Sequence, residues 1–136
     1  MLFRSELGLE GSVGLVPFQA DAAAVYRGLD IVVHASERPE PFGRTIVEGM
    51  ASGRPVIVAR AGGAAELFSE GKSALGHDPG NAEDLARVLG RLVRDAALRE
   101  HLARGARAEV ELRFDRKRLG PDLHAAYATL LGKAVR

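Results

Sequence analysis

Two short apolar runs, Ile31-Val32-Val33 in DIVVHAS and PVIVA at 55–59, constrain the fold of this 136-residue chain more than any other feature. Neither alternates polar with apolar, so each predicts a strand covered on both faces, the pattern of a parallel sheet. Parallel neighbours need a crossover of a dozen or more residues, usually a helix. RTIVEGMAS lies between the runs and meets that need: at 100° per residue, Ile46, Val47, Met50 and Ala51 gather on one side and Thr45, Glu48 and Ser52 on the other. Gly53 and Pro55 then stop the helix in the usual order.

The flanks extend the same order. SVGLVPF at 12–18 predicts an earlier strand ending at Pro17, and Asp21 predicts the N-cap of a short helix closed by Gly28. AGGAAE predicts a tight loop opening another short helix. In the final third, Asn81 and Asp84 resemble a capping box ahead of a stripe of Leu85, Val88, Leu89, Leu92 and Val93. Asp95 predicts the cap of a helix carrying Leu98, Leu102 and Val110. A last helix, roughly 116–131, is expected to turn Leu119, Leu123, Tyr127 and Leu130 inward. Strand, helix, strand, helix, strand means βαβ units. The expectation is an α/β, Rossmann-like three-layer parallel sheet with a helical C-terminal third, all of residues 1–136 in one domain.

Ligands in such sheets bind outside the carboxyl ends of the strands. Both unusual loops, ERPEPFG and ARAGGAAE, sit there. Gly43 stands where a helix starts, and free N–H groups and the helix dipole at that point favour an anion. Glu48 follows about 7 Å further along the axis, at roughly 1.5 Å per residue, and its two oxygens suit a ribose diol. Glu40 lies on the far side of that helix start. The layout fits a ribose at one end, phosphates in the middle and a polyol at the other, as in a nucleotide sugar. Taken separately, each feature has a plainer reading: a solvated face for Glu48, a turn for Pro-Phe-Gly, a loop for Gly62-Gly63.

Composition excludes some classes. The formal charge of +1 gives no global field for nucleic acid or membrane. The chain has no cysteine, hence no disulfide or thiolate metal site, and no apolar run approaches the roughly 20 residues of a membrane span. With no signal-like N-terminus, a soluble, cytoplasmic protein is the default. His77, His101 and His124 have no metal-site spacing, so no bound metal is expected. Arg60 could help neutralise a phosphate, though a surface role is the commoner one. His34 ends a strand beside the candidate site, where packing or a local hydrogen bond competes with touching a ligand. The arginines of 90–118 alternate with acids, as solvated helix faces do.

Together, EPFGRTIVEGMASGRPVIVARAGGAAE resembles the donor-binding signature in the C-terminal domain of family 4 (group 1) glycosyltransferases, the retaining GT-B enzymes. RGLDIVVHASERPEPFG, DPGNAEDLARVLGRLV and HAAYATLL extend the likeness over nearly all of residues 12–132. The resemblance implies that Glu40 contacts donor-sugar hydroxyls near the reacting centre. It implies that backbone amides around Phe42, Gly43, Arg44 and Thr45 hold the sugar or diphosphate, that Glu48 binds the ribose, and that Gly62 and Gly63 line the cleft. The implied reaction moves a hexose from a UDP- or GDP-sugar to an acceptor hydroxyl with retention. It needs no cofactor, and protein groups stabilise the leaving diphosphate. A front-face attack is expected over double displacement on Glu40.

The family's N-terminal acceptor domain is absent from this sequence. So is the opening of the C-terminal domain, whose basic residues grip the diphosphate; Arg4 alone is a weak substitute. The chain is therefore read as a partial GT-B C-terminal domain, expected to be inactive alone. It is also expected to associate with a partner chain or with itself through an uncovered sheet edge. The alternative is a non-catalytic nucleotide-binding or assembly module; a nucleotide-sugar epimerase or phosphorylase-like relative ranks last. Membrane contact stays open, since some relatives act on lipid-linked acceptors.

Overall fold

The computed structural model describes residues 2–132. Helices α1 (Leu2–Glu6) and α2 (Ala22–Arg27) lead into strand β1 (Val32–His34) and helix α3 (Arg44–Ala51). Strand β2 (Val56–Ala59), a 3-10 turn (Gly63–Glu66) and strand β3 (Leu75–His77) follow. Helices α4 (Ala82–Arg94) and α5 (Ala96–Arg113), a second 3-10 turn (Arg116–Arg118) and α6 (Leu119–Leu131) complete the order.

The three strands form one parallel sheet, β1-β2-β3. Val32 pairs with Val56 and Ile57 with Leu75. β2 is central and wholly buried, so its residues split between two cores. Val56 and Val58 join Val32, Ile46, Met50, Ala106 and Val110 on the α3 side. Ile57 meets Leu75, Val88, Leu92 and Leu102 on the α4 side. The long α5 serves both cores. Three layers around a parallel sheet confirm the expected class.

Caps fix the helix starts. Asp21 accepts the Ala24 N–H at 2.9 Å, Asn81 that of Asp84 at 3.0 Å, and Asp95 that of Leu98 at 2.9 Å. The capping box at Asn81 is not reciprocal, however. The Asp84 carboxylate accepts the Asp78 N–H at 2.9 Å and so ties the end of β3 to α4.

Other expectations are overturned. Residues 12–18 form no strand; Val16 and Phe18 lie in the open, and Phe18 is 92% exposed. A strand needs a neighbour for its backbone polar groups, and among the described residues this segment has none beside it. β3 was not foreseen, because SALGHD carries no β-branched run; burial between β2 and α4 makes the strand. Val33 on β1 is exposed, so that strand is covered on one face rather than both at its centre. Val93 falls outside the α4 stripe and is exposed. On α6, Leu119, Leu123, Tyr127 and Leu130 are all exposed instead of inward, and Leu130 reaches 81%. Their helical spacing is right, but no described element packs against that face.

Candidate functional site

The loops after β1 and β2 leave adjacent strands at the same carboxyl edge and interlock there. Glu40 pairs with Gly62 in an isolated parallel bridge, and the Gly63 N–H donates to the Glu40 carbonyl at 2.8 Å. The glycine pair is a steric requirement of this crossing. Gly62 has φ of 57°, and a Cβ on Gly63 would lie 2.0 Å from the Pro41 carbonyl oxygen. Gly62 and Gly63 thus lock the ERPEPFG loop in place and form one wall of the edge.

From this frame the Glu40 side chain rises, its carboxylate half-exposed. The Ser36 hydroxyl donates to Oε1 at 2.5 Å, and Nε2 of the buried His34 lies 3.3 Å from Oε2. The Ser36 hydrogen bond, and then the His34 ring, hold the carboxyl below its ordinary value. It is therefore an ionised, acceptor-only group at neutral pH.

Gly43, at φ 88° and ψ 65°, turns the chain from Glu40 into α3. No side chain caps that helix, so its first amides stay available to an anion or hydroxyl. The Phe42 ring packs edge-on against Phe114, centroids 5.9 Å apart. Thr45 and Arg44 are exposed on the first turn. One turn on, both Glu48 oxygens are engaged: Oε1 by Arg44 Nη2 at 2.9 Å, and Oε2 by the Tyr26 hydroxyl at 3.3 Å. Burial raises the Tyr26 pKa; Thr45 opposes and the nearby Glu48 charge reinforces this, so Tyr26 remains a phenol donor. A ribose diol at Glu48 would replace or join these partners.

Glu40, Phe42, Gly43, Arg44, Thr45, Glu48, Gly62 and Gly63 therefore gather around the loop crossing and the first turns of α3, with Glu40 and Glu48 on either side of the helix start. Sequence reasoning missed Tyr26 and Ser36. Ser36, four residues before Glu40 in the same loop, carried a local signal; Tyr26 is 22 residues from Glu48 and carried none. Arg60 is not free for a phosphate. It is held by Asp78 at 3.0 Å, Glu70 at 3.5 Å and Asp84 at 3.7 Å, with its stem across Gly76. His77 is buried between its neighbour's carbonyl and that of His34. Among the described residues no three His, Asp or Glu gather as a metal site, and no helix is long and apolar enough to cross a membrane.

A concavity of about 510 Å³ runs along the side of α3 from Glu48 to Ser52 and is bounded by Tyr26, Arg27 and Arg107. Because α3 runs antiparallel to the strands, this hollow leads from Glu48 toward the amino edge, away from Glu40. A smaller one of about 140 Å³ lies at the carboxyl edge, between Glu37, His77 and the start of α4. Size alone does not mark the chemistry; the gathered carboxylates and the uncapped helix do.

A parallel α/β sheet flanked by helices is a Rossmann-like architecture, in which ligands bind outside the carboxyl ends of the strands. The chain belongs to the glycosyl transferases group 1 family, whose model matches residues 2–109. It is 32% identical over 113 residues to the lipopolysaccharide core biosynthesis glycosyltransferase LpsE of Rhizobium meliloti, covering 83% of this chain and 33% of LpsE. The crystal structure of HepE from Anabaena in complex with UDP superposes with a TM-score of 0.88 at 35% identity, over 93% of this chain and 35% of HepE. The C-terminal domain of a group 1 glycosyl transferase, LpcC from Francisella tularensis, matches with a TM-score of 0.73 at 28% identity, over 85% of this chain and 60% of that domain structure. This chain spans about a third of the length of LpsE and of HepE.

Proposed function

We propose that this chain binds the nucleotide-sugar donor of a group 1 glycosyltransferase, and that the whole enzyme transfers a hexose from a UDP- or GDP-sugar to an acceptor hydroxyl with retention. The observation that carries this reading is the placement of Glu40 and Glu48 on opposite sides of the uncapped start of α3, at the carboxyl edge. In this reading Glu48 holds the ribose hydroxyls. The amides of Phe42, Gly43, Arg44 and Thr45 hold the diphosphate or sugar. Glu40 meets the sugar hydroxyls, and the crossing at Gly62 and Gly63 lines the same cleft. HepE, solved with UDP and with UDP-glucose, supports a uridine nucleotide as the first candidate. The basic grip on the diphosphate and the acceptor side are assigned to regions outside these 136 residues, so turnover belongs to the larger assembly.

Calorimetric titration with UDP, GDP and ADP tests the donor reading. One nucleotide should bind, and Glu48→Ala should weaken it about tenfold or more, on the scale of a charge-assisted pair of hydrogen bonds. Equal affinity of the wild type and Glu48→Ala would reject this role of Glu48.

A second reading, an assembly module, is favoured by the open edge of β1 and the exposed leucines of α6. In it the chain pairs with another polypeptide or with itself through apolar surface. Light scattering after size exclusion should then show concentration-dependent association that Leu123→Ser and Leu130→Ser suppress. A monomer at high concentration rejects self-association.

A further inference from the structure

We propose that His34 is a positioning residue for Glu40, its buried imidazole fixing the carboxylate in the orientation that meets the donor sugar. This rests on the donor reading above and deepens it.

His34 is 6% exposed at the end of β1, and neither ring nitrogen has an aligned hydrogen-bond partner among the described residues. A buried polar group left unsatisfied costs stability, so packing alone would be served better by a leucine. The Nε2 atom instead sits 3.3 Å from Glu40 Oε2, close enough to pair but not aligned for a full hydrogen bond. Polar contacts of this kind tighten when a ligand arrives. The Ser36 hydroxyl holds the other oxygen at 2.5 Å, and the bridge to Gly62 and Gly63 fixes the Glu40 backbone.

Each carboxylate oxygen thereby has one protein partner, and the side chain stays 38% exposed. A neutral imidazole with its proton on Nε2 can donate to Oε2, leaving Glu40 ionised and able only to accept from sugar hydroxyls. His77, from β3, touches the His34 carbonyl at 3.3 Å through Nε2. Among the described residues no arginine or lysine pairs with Glu40, so His34 is its one cationic-capable neighbour.

The experiment compares the wild-type chain with His34→Leu and His34→Gln, the second keeping an N–H donor. Three quantities are read: the ¹³C titration of the Glu40 carboxyl, the thermal midpoint, and the affinities for UDP and UDP-glucose. In His34→Leu the Glu40 midpoint should rise toward the ordinary carboxylate value. The thermal midpoint should stay equal or increase, and the preference for UDP-glucose over UDP should fall several-fold with UDP affinity unchanged. His34→Gln should preserve the Glu40 midpoint and that preference.

An unchanged Glu40 midpoint in His34→Leu overturns the proposal. So does a parallel loss of both ligands, or a glutamine variant that behaves like leucine. Unfolding of His34→Leu also overturns it, since the ring would then be a packing element. If the wild type binds neither ligand, the donor reading is what fails, and the Glu40 titration alone decides whether His34 holds the carboxylate.

Discussion

The carboxyl-edge loops and the two flanking segments are opposites in what holds them. ERPEPFG is charged and ARAGGAAE is built mostly of small residues, yet they are locked backbone to backbone at Glu40, Gly62 and Gly63. Residues 12–18 and α6 are apolar, yet Val16, Phe18, Leu123 and Leu130 face outward with little to pack on. Order in this chain follows the presence of a partner rather than the hydrophobicity of the segment. The two loops of the site satisfy each other's backbone groups at Glu40, Gly62 and Gly63, whereas the flanks offer apolar area whose burial would need something further.

The largest expected effect is in the core beneath the site. Met50 is fully buried between α3, the sheet and α5, so Met50→Ala should cost about 2–5 kcal/mol of unfolding free energy in urea. Leu123→Ala on α6 should stay within about 0.5 kcal/mol. Equal costs would erase the contrast between partnered and unpartnered elements. Gly63→Ala comes next, because its Cβ would meet the Pro41 carbonyl at 2.0 Å and backbone cannot yield cheaply. A loss of about 1–3 kcal/mol is expected, as for an overpacked core. Gly11→Ala, where a Cβ meets open space, should be near neutral.

A smaller effect concerns pH. Burial alone would raise the Glu109 pKa, but hydrogen bonds from Ser73, Arg113 and Ser69, with the Arg113 charge, bring it below the ordinary 4.5. A carboxylate depressed in the fold contributes stability that is fully present above the unfolded value and lost as pH falls through the folded one. Urea unfolding of the wild type should therefore lose stability as pH falls from about 5 through the folded-state titration of Glu109. Glu109→Gln should flatten that part of the profile; an unchanged slope would remove Glu109 as a cause.

How much of this could be read in the residues divides along the same line. The helix α3 was legible because Ile46, Val47, Met50 and Ala51 repeat at its period and Gly53 closes it. β2 was legible from four buried apolar residues in a row. β3 was not, since three residues, LGH, become a strand only through β2 beside them and α4 above. Residues 12–18 misled for the converse reason: a strand-like composition met no neighbour.

At the site, the glutamates and glycines announced themselves by type and spacing. Tyr26 did not, because it reaches Glu48 only once α2 has folded against α3, whereas His34, six residues before Glu40, already stood beside the site in sequence. The glycine pair also had a reason invisible in sequence, the passage of the Gly63 backbone under Pro41.

The most direct measurement is backbone NMR of the ¹⁵N-labelled chain titrated with UDP. If the carboxyl edge is the donor site, amide shifts should concentrate at 42–48 and 61–66, and those of α6 and of residues 69–73 should stay still. Shifts confined instead to the hollow between α2, α3 and α5, around Arg27, Ser52 and Arg107, would contradict the account and move the nucleotide to the other end of α3.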